Sequence, residues 1–109
     1  MSSTTISRGN MRETFLMSPS LTPAALSAAA TTSVQTFTVP GLLTTDVVNH
    51  IGYAGTQTTG LFVAEADCLT NNILSVTFGN LLGTAITPAA GTYNFQVIRT
   101  DGPAAVNAA

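Results

Sequence analysis

Two carboxylates close together in the chain are the first candidates for a chemical role. Glu65 and Asp67 are two positions apart, so on a β-strand both side chains would lie on one face and could offer oxygen ligands to a hard cation such as calcium. The neighbouring residues lack the dense Asp, Asn and Gly spacing of a calcium-binding loop. The pattern therefore favours a solvated strand end, and we predict no metal site.

The single histidine, His50, and the single cysteine, Cys68, are the other reactive residue types. One histidine excludes a multi-histidine zinc site, and one cysteine excludes an intrachain disulfide, so the redox compartment is unconstrained. Nucleophilic catalysis would need His50 beside a Ser, Thr or Cys68 nucleophile and an orienting carboxylate, and nothing in the spacing indicates this. We predict that the protein is not an enzyme and that it carries no cofactor.

Three aromatic residues could in principle stack on a sugar ring. Tyr53, Phe62 and Tyr93 are separated in sequence, and the chain has no tryptophan. The pattern favours a role for all three in the core or in an interface, with a carbohydrate-stacking platform as the alternative.

Charge is the unusual feature of the composition. Only 7% of the residues are charged, lysine is absent, and the three basic residues are Arg8, Arg12 and Arg99. The formal net charge is -2 and the mean hydropathy is +0.37. Soluble domains usually carry about a quarter charged residues, which keep their copies apart. We infer that neighbouring subunits cover much of this surface in a homo-oligomer or larger particle; the alternative is a small neutral domain kept soluble by its hydroxyl groups.

The same composition argues against two classes of partner. Affinity for nucleic acid depends on clustered Lys and Arg, and three scattered arginines are too few. The longest apolar stretch, residues 15–30, is interrupted by Pro19 and Pro23 and is shorter than a membrane-spanning helix. We predict no partner among nucleic acids or membranes. A signal peptide in this region is disfavoured, since its apolar block ends after three residues at Ser18.

The residues that must position everything else lie between 36 and 48. Phe37 and Val39 alternate with threonines, as in a half-buried strand. Pro40 and Gly41 suit the two central positions of a type II turn, because proline fixes φ near the value needed first and glycine accepts the positive φ needed next. A second β-branched strand begins at Val47.

Similar short alternating runs recur along the chain. They predict strands at residues 21–26, 33–39, 47–51, 61–66, 73–78 and 92–99, with a helix over residues 24–30 as an alternative for the first. Val34 is a possible further apolar contact, and strict alternation places Leu61, Val63 and Glu65 on one face. The spacing predicts an all-β fold, a single antiparallel β-sandwich of jelly-roll or immunoglobulin-like type over residues 18–103.

The two ends of the chain lack such a pattern. We predict that residues 1–17 form an extended N-terminal arm and that residues 104–109 form a C-terminal tail. The arm contains the residues predicted to contact a neighbouring subunit: Arg8, Arg12, Phe15 and Leu16. An amphipathic first helix or a disordered tail is the alternative for this region.

Several short motifs between residues 33 and 99 resemble a pattern found in small virion proteins of tailed bacteriophages. They are Val39-Pro40-Gly41-Leu42, Asp46-Val47-Val48, Gly60-Leu61, Ile73 to Asn80, and Gly91-Thr92-Tyr93 leading to Val97-Ile98-Arg99. The resemblance implies a β-sandwich module that decorates or cements a capsid, or that recurs in tail and fibre components. It supplies no functional residues, because the matching positions are turn and core positions.

This resemblance leads to a functional prediction. It implies a structural virion protein without enzymatic activity, often a trimer, whose partners are the major capsid protein and its own copies on the outer surface of the capsid. The alternative is a tail or fibre component, including one that binds carbohydrate on the host surface.

Overall fold

The described part of the chain contains seven strands joined by turns and loops. The computed structural model describes residues 11–27 and 32–100. No helix occurs among these residues, and the strands pair into two antiparallel sheets, which confirms the predicted all-β fold. The strands are β1 (Met11–Met17), β2 (Ser20–Leu21), β3 (Thr32–Thr38), β4 (Val47–Tyr53), β5 (Leu61–Thr70), β6 (Ile73–Asn80) and β7 (Gly91–Thr100).

The first sheet is built around β7. Strand β1 pairs with the C-terminal half of β7, and β2 pairs with its first two residues on the same side. Strand β4 pairs with the other side of β7. The long period-two run that ends the domain is therefore the central strand, which explains why its alternation is so regular.

The second sheet has the order β3-β6-β5. Strand β6 is its centre, paired with β3 and β5 along most of its length. Between the two sheets lie the fully buried side chains of the central strands, with Phe78 of β6 meeting Tyr93 of β7 edge to face at 6.0 Å between ring centroids. The other residues with no exposed surface here are Leu74, Val76, Phe95 and Val97.

The predicted turn at Pro40 and Gly41 is confirmed. Gly41 has a φ of 95°, and the Leu42 amide donates to the Val39 carbonyl at 3.3 Å. The turn is held against the β5–β6 turn, whose Asn72 accepts from the Gly41 amide through its side chain at 2.8 Å and donates its own amide to the Leu42 carbonyl at 2.7 Å. Two turns distant in sequence thus form one end of the sandwich.

The sheet also takes in residues that the sequence analysis assigned to an arm. Residues 11–17 form β1, an edge strand in register with β7 from Thr100 back to Phe95. Residues 1–10 of the predicted arm, including Arg8, lie outside the described residues, as does the predicted tail of residues 104–109.

The segment predicted as a strand at residues 21–26 is mostly irregular. Only Ser20 and Leu21 pair with β7, and Leu26 then forms an isolated bridge with Ile86. Between them, the Gln35 side chain donates to the Ala24 carbonyl and accepts from the Ala24 amide. Residues 24–27 are not helical, and residues 28–30 of the alternative helix lie outside the described part.

Two details of the predicted side-chain directions were wrong. Val34 is 64% exposed because it pairs with Thr77 on the outer face, opposite to the buried Phe78. In β5 the register shifts between Val63 and Glu65, so the inward positions change from Leu61 and Val63 to Ala66 and Cys68. An extra residue in one strand reverses the alternation after it, which strict periodicity cannot anticipate.

Candidate functional site

Three of the four residues predicted as an interface lie among the described residues, all of them in β1, and two of these three point to opposite faces of that strand. Phe15 pairs with Val97 on the inner side of the sheet and is 36% exposed, whereas Leu16 points to the outer side and is 71% exposed. Arg12 is exposed at the register shift between Met11 and Glu13. Because neighbouring residues of a strand point to opposite faces, Phe15 and Leu16 do not form one contact surface.

Phe15 lines an apolar pocket between β1 and the Pro40–Gly41 turn. This pocket has a volume of about 270 Å³ and is lined by Phe15, Met17, Val39, Pro40, Gly41, Leu42 and Arg99. The Arg99 guanidinium lies 5.3 Å from the centre of the Phe15 ring, within the range of a cation–π contact. The partly exposed ring therefore lies at the pocket beside Arg99 and outside the buried core cluster.

An ion pair closes the same end of the sandwich. Arg99 donates through Nε to Asp46 Oδ1 at 2.9 Å and through Nη2 to Asp46 Oδ2 at 2.7 Å, and the Asp46 side chain has no exposed surface. Asp46 Oδ2 also accepts from the Leu43 amide at 3.0 Å, and Glu13 lies 3.6 Å from Arg99. The pair fixes the start of β4 to the end of β7.

The electrostatics of this pair are governed by its hydrogen bonds. The hydrogen bonds from Arg99 lower the pKa of the Asp46 carboxyl, while burial acts in the opposite direction. The hydrogen bond to Asp46 in turn raises the pKa of Arg99. Both groups are thus ionised over the whole physiological range.

Sequence reasoning named Asp46 and Arg99 but did not connect them. A signal was present, because Arg99 follows Tyr93, Phe95 and Val97 on the inward face of one strand. An arginine that continues a buried face requires a carboxylate partner. The sequence could have predicted the need for such a partner, although not its position 53 residues away.

His50 lies on the inner side of β4, at a cleft between β4 and β5. Its ring contacts Phe95 at 5.4 Å and Tyr93 at 6.0 Å between centroids. Its Nε2 atom is buried and makes no hydrogen bond within the described part of the chain. The cleft has a volume of about 230 Å³ and is lined by Val48, Asn49, His50, Val63, Ala64, Glu65 and Ala66. Burial lowers the pKa of His50, so the imidazole is neutral at pH 7.

The other residues considered for chemistry do not form a site with His50. Cys68 is buried and its thiol contacts the Thr70 carbonyl at 3.1 Å. Glu65 and Asp67 pair with Thr77 and Ser75 on the outer face of the second sheet. Among residues 11–27 and 32–100, no group of three or more His, Cys, Asp or Glu side chains could hold a metal ion.

The three aromatics considered for sugar stacking do not share a surface. Tyr93 is fully buried; its hydroxyl donates to the Ala89 carbonyl at 2.6 Å and accepts from Gln57 Nε2 at 2.8 Å. Burial raises the pKa of Tyr93. The Tyr53 hydroxyl donates to the Ala90 carbonyl at 2.6 Å, and Phe62 lies over Gly79 on the other sheet. Tyr93 thus has the first of the two roles, core or interface, that were predicted for these aromatics.

The outer faces of the two sheets differ in charge. On the first sheet, two rows of cross-strand neighbours contain only uncharged residues, and we call them the neutral face: Thr14, Ile98 and Val47 in one row, Leu16, Gln96 and Asn49 in the other. On the second sheet, we call the corresponding rows the acidic face: Val34, Thr77 and Glu65 in one, Thr36, Ser75 and Asp67 in the other. The neutral face exposes apolar side chains without any charge between them.

Three comparisons with known proteins give no match. Neither protein-family models, nor curated proteins, nor solved structures resemble the chain significantly. Within the described residues there is no helix of the length and apolar character that crossing a membrane requires. The surfaces of the sandwich are therefore the features from which a function can be inferred.

Proposed function

We propose that the protein is a structural component of a tailed-bacteriophage virion, a decoration or cement protein of the capsid. It would form a homo-oligomer, a trimer by the resemblance of its sequence motifs, and clamp adjacent copies of the major capsid protein on the outer surface of the head. Contacts repeated by symmetry add up, so many weak contacts can produce a stable attachment.

The neutral face is the observation that carries this proposal. Leu16 is 71% exposed and Val47 49% exposed on the outside of an otherwise well-packed sandwich. Contiguous exposed apolar surface is typical of protein interaction sites. The low overall charge of the chain supports the same conclusion, because a domain whose surfaces are covered does not need charge to keep its copies apart.

Two further features support a mechanical role. The Arg99–Asp46 pair and the two bonded turns fix one end of the sandwich through contacts between residues far apart in sequence. The central strands β6 and β7 bury the hydrophobic side chains of their inner faces completely. A module held in this way can transmit load between neighbouring subunits without internal rearrangement.

The test is the copy number of the protein in virus particles. Particles purified from cells that produce the protein are analysed by quantitative mass spectrometry against the major capsid protein. A decoration protein is expected at a copy number of the same order as the major capsid protein. A copy number lower by an order of magnitude or more would instead indicate a tail or fibre component, and absence from particles would contradict both.

Attachment tests the role of the first ten residues. Removal of residues 1–10 keeps every described strand and is expected to weaken binding of the purified protein to particles stripped of it. Removal of residues 104–109 at the other end serves as the control and is expected to leave binding unchanged. Equal binding of both shortened proteins and the full chain would show that the first ten residues are not an attachment arm.

A further inference from the structure

The arrangement of charge on the two outer faces indicates where copies of this chain meet. We infer that the neutral face is the self-association surface and that a second copy of the chain covers it. The inference deepens the proposed function, on which it rests for the expectation of a homo-oligomer.

The neutral face carries several exposed apolar side chains. Val47 and Ile98 are cross-strand neighbours, and Leu16 lies diagonally across from Ile98. Ile51, in the bulge of the same strand as Val47, is 54% exposed. Burial of such side chains removes apolar surface from water, which is favourable. A contact over this face would therefore supply a favourable free energy that the isolated chain does not obtain.

The neutral face also differs from the acidic face in its charge. In an isologous two-fold contact the same patch of both copies meets itself, whereas in a cyclic trimer residues meet their own equivalents only where they lie at the three-fold axis. The acidic face would bring Glu65 and Asp67 close to the same carboxylates of another copy, which is unfavourable. The six residues of the neutral face carry no charge, so they can meet their equivalents without repulsion.

The polar groups of the neutral face include two side-chain amides. Asn49 and Gln96 lie side by side in the row that Leu16 begins, and Gln96 Nε2 also donates to Thr14 Oγ1 at 3.4 Å. A carboxamide carries both donors and an acceptor, so two copies of the same amide can bond to each other. Carboxylates lack donors and cannot do so. The neutral face is thus self-complementary in its hydrogen bonding as well as in its charge.

The test is the mass of the full-length protein in solution, measured by sedimentation velocity over a series of concentrations. Wild-type protein is expected to be an oligomer. Leu16→Lys is expected to weaken self-association by roughly 30-fold or more, as for a residue at the centre of an interface, because it places a charge between apolar side chains. Val47→Lys, at a second exposed position of the same face, is expected to act in the same direction.

Val34→Lys is the matched control. Val34 is 64% exposed, close to the 71% of Leu16, and lies on the acidic face. This variant is expected to keep the wild-type mass, and circular dichroism establishes that all three variants are folded. A monomeric wild-type protein, an unchanged mass for both neutral-face variants, or equal dissociation by Val34→Lys would overturn the inference.

The two proposals fail in different ways. Dissociation by the neutral-face variants supports the self-association surface whether or not the protein occurs in particles. A dimer that dissociates in this way would support the surface and contradict the proposed trimer. Absence from particles would contradict the virion role and leave the self-association result standing.

Discussion

The negative charge of the buried Asp46 carboxylate is stabilised mainly by one side chain, that of Arg99. It is buried without exposed surface, and Arg99 supplies two of its three hydrogen bonds. Arg99→Met leaves a buried carboxylate without its cation, and we expect a loss of about 3 kcal/mol in the free energy of unfolding. Chemical denaturation monitored by circular dichroism measures this loss.

Two further variants control this result. Arg12→Met removes an exposed arginine and is expected to change stability by less than about 0.5 kcal/mol. Arg99→Met combined with Asp46→Asn removes both charges and is expected to recover part of the loss. If Arg99→Met were no more costly than Arg12→Met, the ion pair would not be holding β4 to β7.

His50 gives the stability of the protein a dependence on pH. Burial among Tyr93 and Phe95 lowers its pKa below the usual 6.5. Below pH 6.5 the unfolded chain binds a proton that the folded chain does not, so stability falls as the pH is lowered through this window.

The measurement is the unfolding temperature between about pH 7.5 and about pH 5. His50→Gln removes the titrating group and is expected to flatten this part of the curve. Loss of the Asp46 contribution begins only below its usual value of 3.8, because its pKa is lowered and its stabilisation is present above that value. An unchanged pH dependence in His50→Gln would assign the effect to another group.

At the scale of elements, the Pro40–Gly41 turn depends on backbone conformation alone. A Cβ added at Gly41 would meet nothing within 4 Å, but its φ of 95° is unfavourable for other residues. We expect Gly41→Val to lower the free energy of unfolding by roughly 1–2 kcal/mol, because a β-branched residue resists positive φ.

Gly83 provides the matched control for this substitution. A Cβ at Gly83 likewise meets nothing within 4 Å, and its φ is not positive. Gly83→Val is expected to change stability by less than about 0.5 kcal/mol. Equal effects of the two substitutions in thermal denaturation would show that the conformation of the turn is not what makes Gly41 necessary.

For the whole molecule, the structure changes what a truncation should do. An extended arm over residues 1–17, as the sequence pattern predicts, would be removable without unfolding the sandwich. In the structure this removal deletes β1 and uncovers the edge of β7. It also removes the packing of Met17 against the core and the contact between Phe15 and Arg99. We now expect this deletion to destabilise the fold by several kcal/mol.

Removal of residues 1–10 alone is the comparison for that deletion. It keeps β1 and is expected to retain the unfolding temperature of the full chain. Thermal denaturation of both shortened proteins separates the two contributions. If the protein without residues 1–17 were as stable as the full chain, β1 would be an attached arm and not a structural strand.

Local patterns in the sequence were sufficient for the fold class, most of the strands and one turn. Alternation along β3, β6 and β7 reflects the two-residue period of a strand, and the Pro40–Gly41 pair reflects the dihedral angles that each residue favours. Both are properties of neighbouring residues, so they can be read without knowing the rest of the molecule. The scarcity of charge is likewise a property of composition alone.

The tertiary structure alone decided which strands are neighbours, and with that the candidate surfaces. The pairing of β1 with β7, the bond between Asp46 and Arg99, and the cleft at His50 join residues far apart in the chain. The bulge in β5 reversed the faces after Val63, and the strand order separated a neutral outer face from an acidic one. These features depend on strand order and register, which are set by the packing of the whole core. A single stretch can indicate that Arg99 needs a carboxylate partner, but not which residue supplies it.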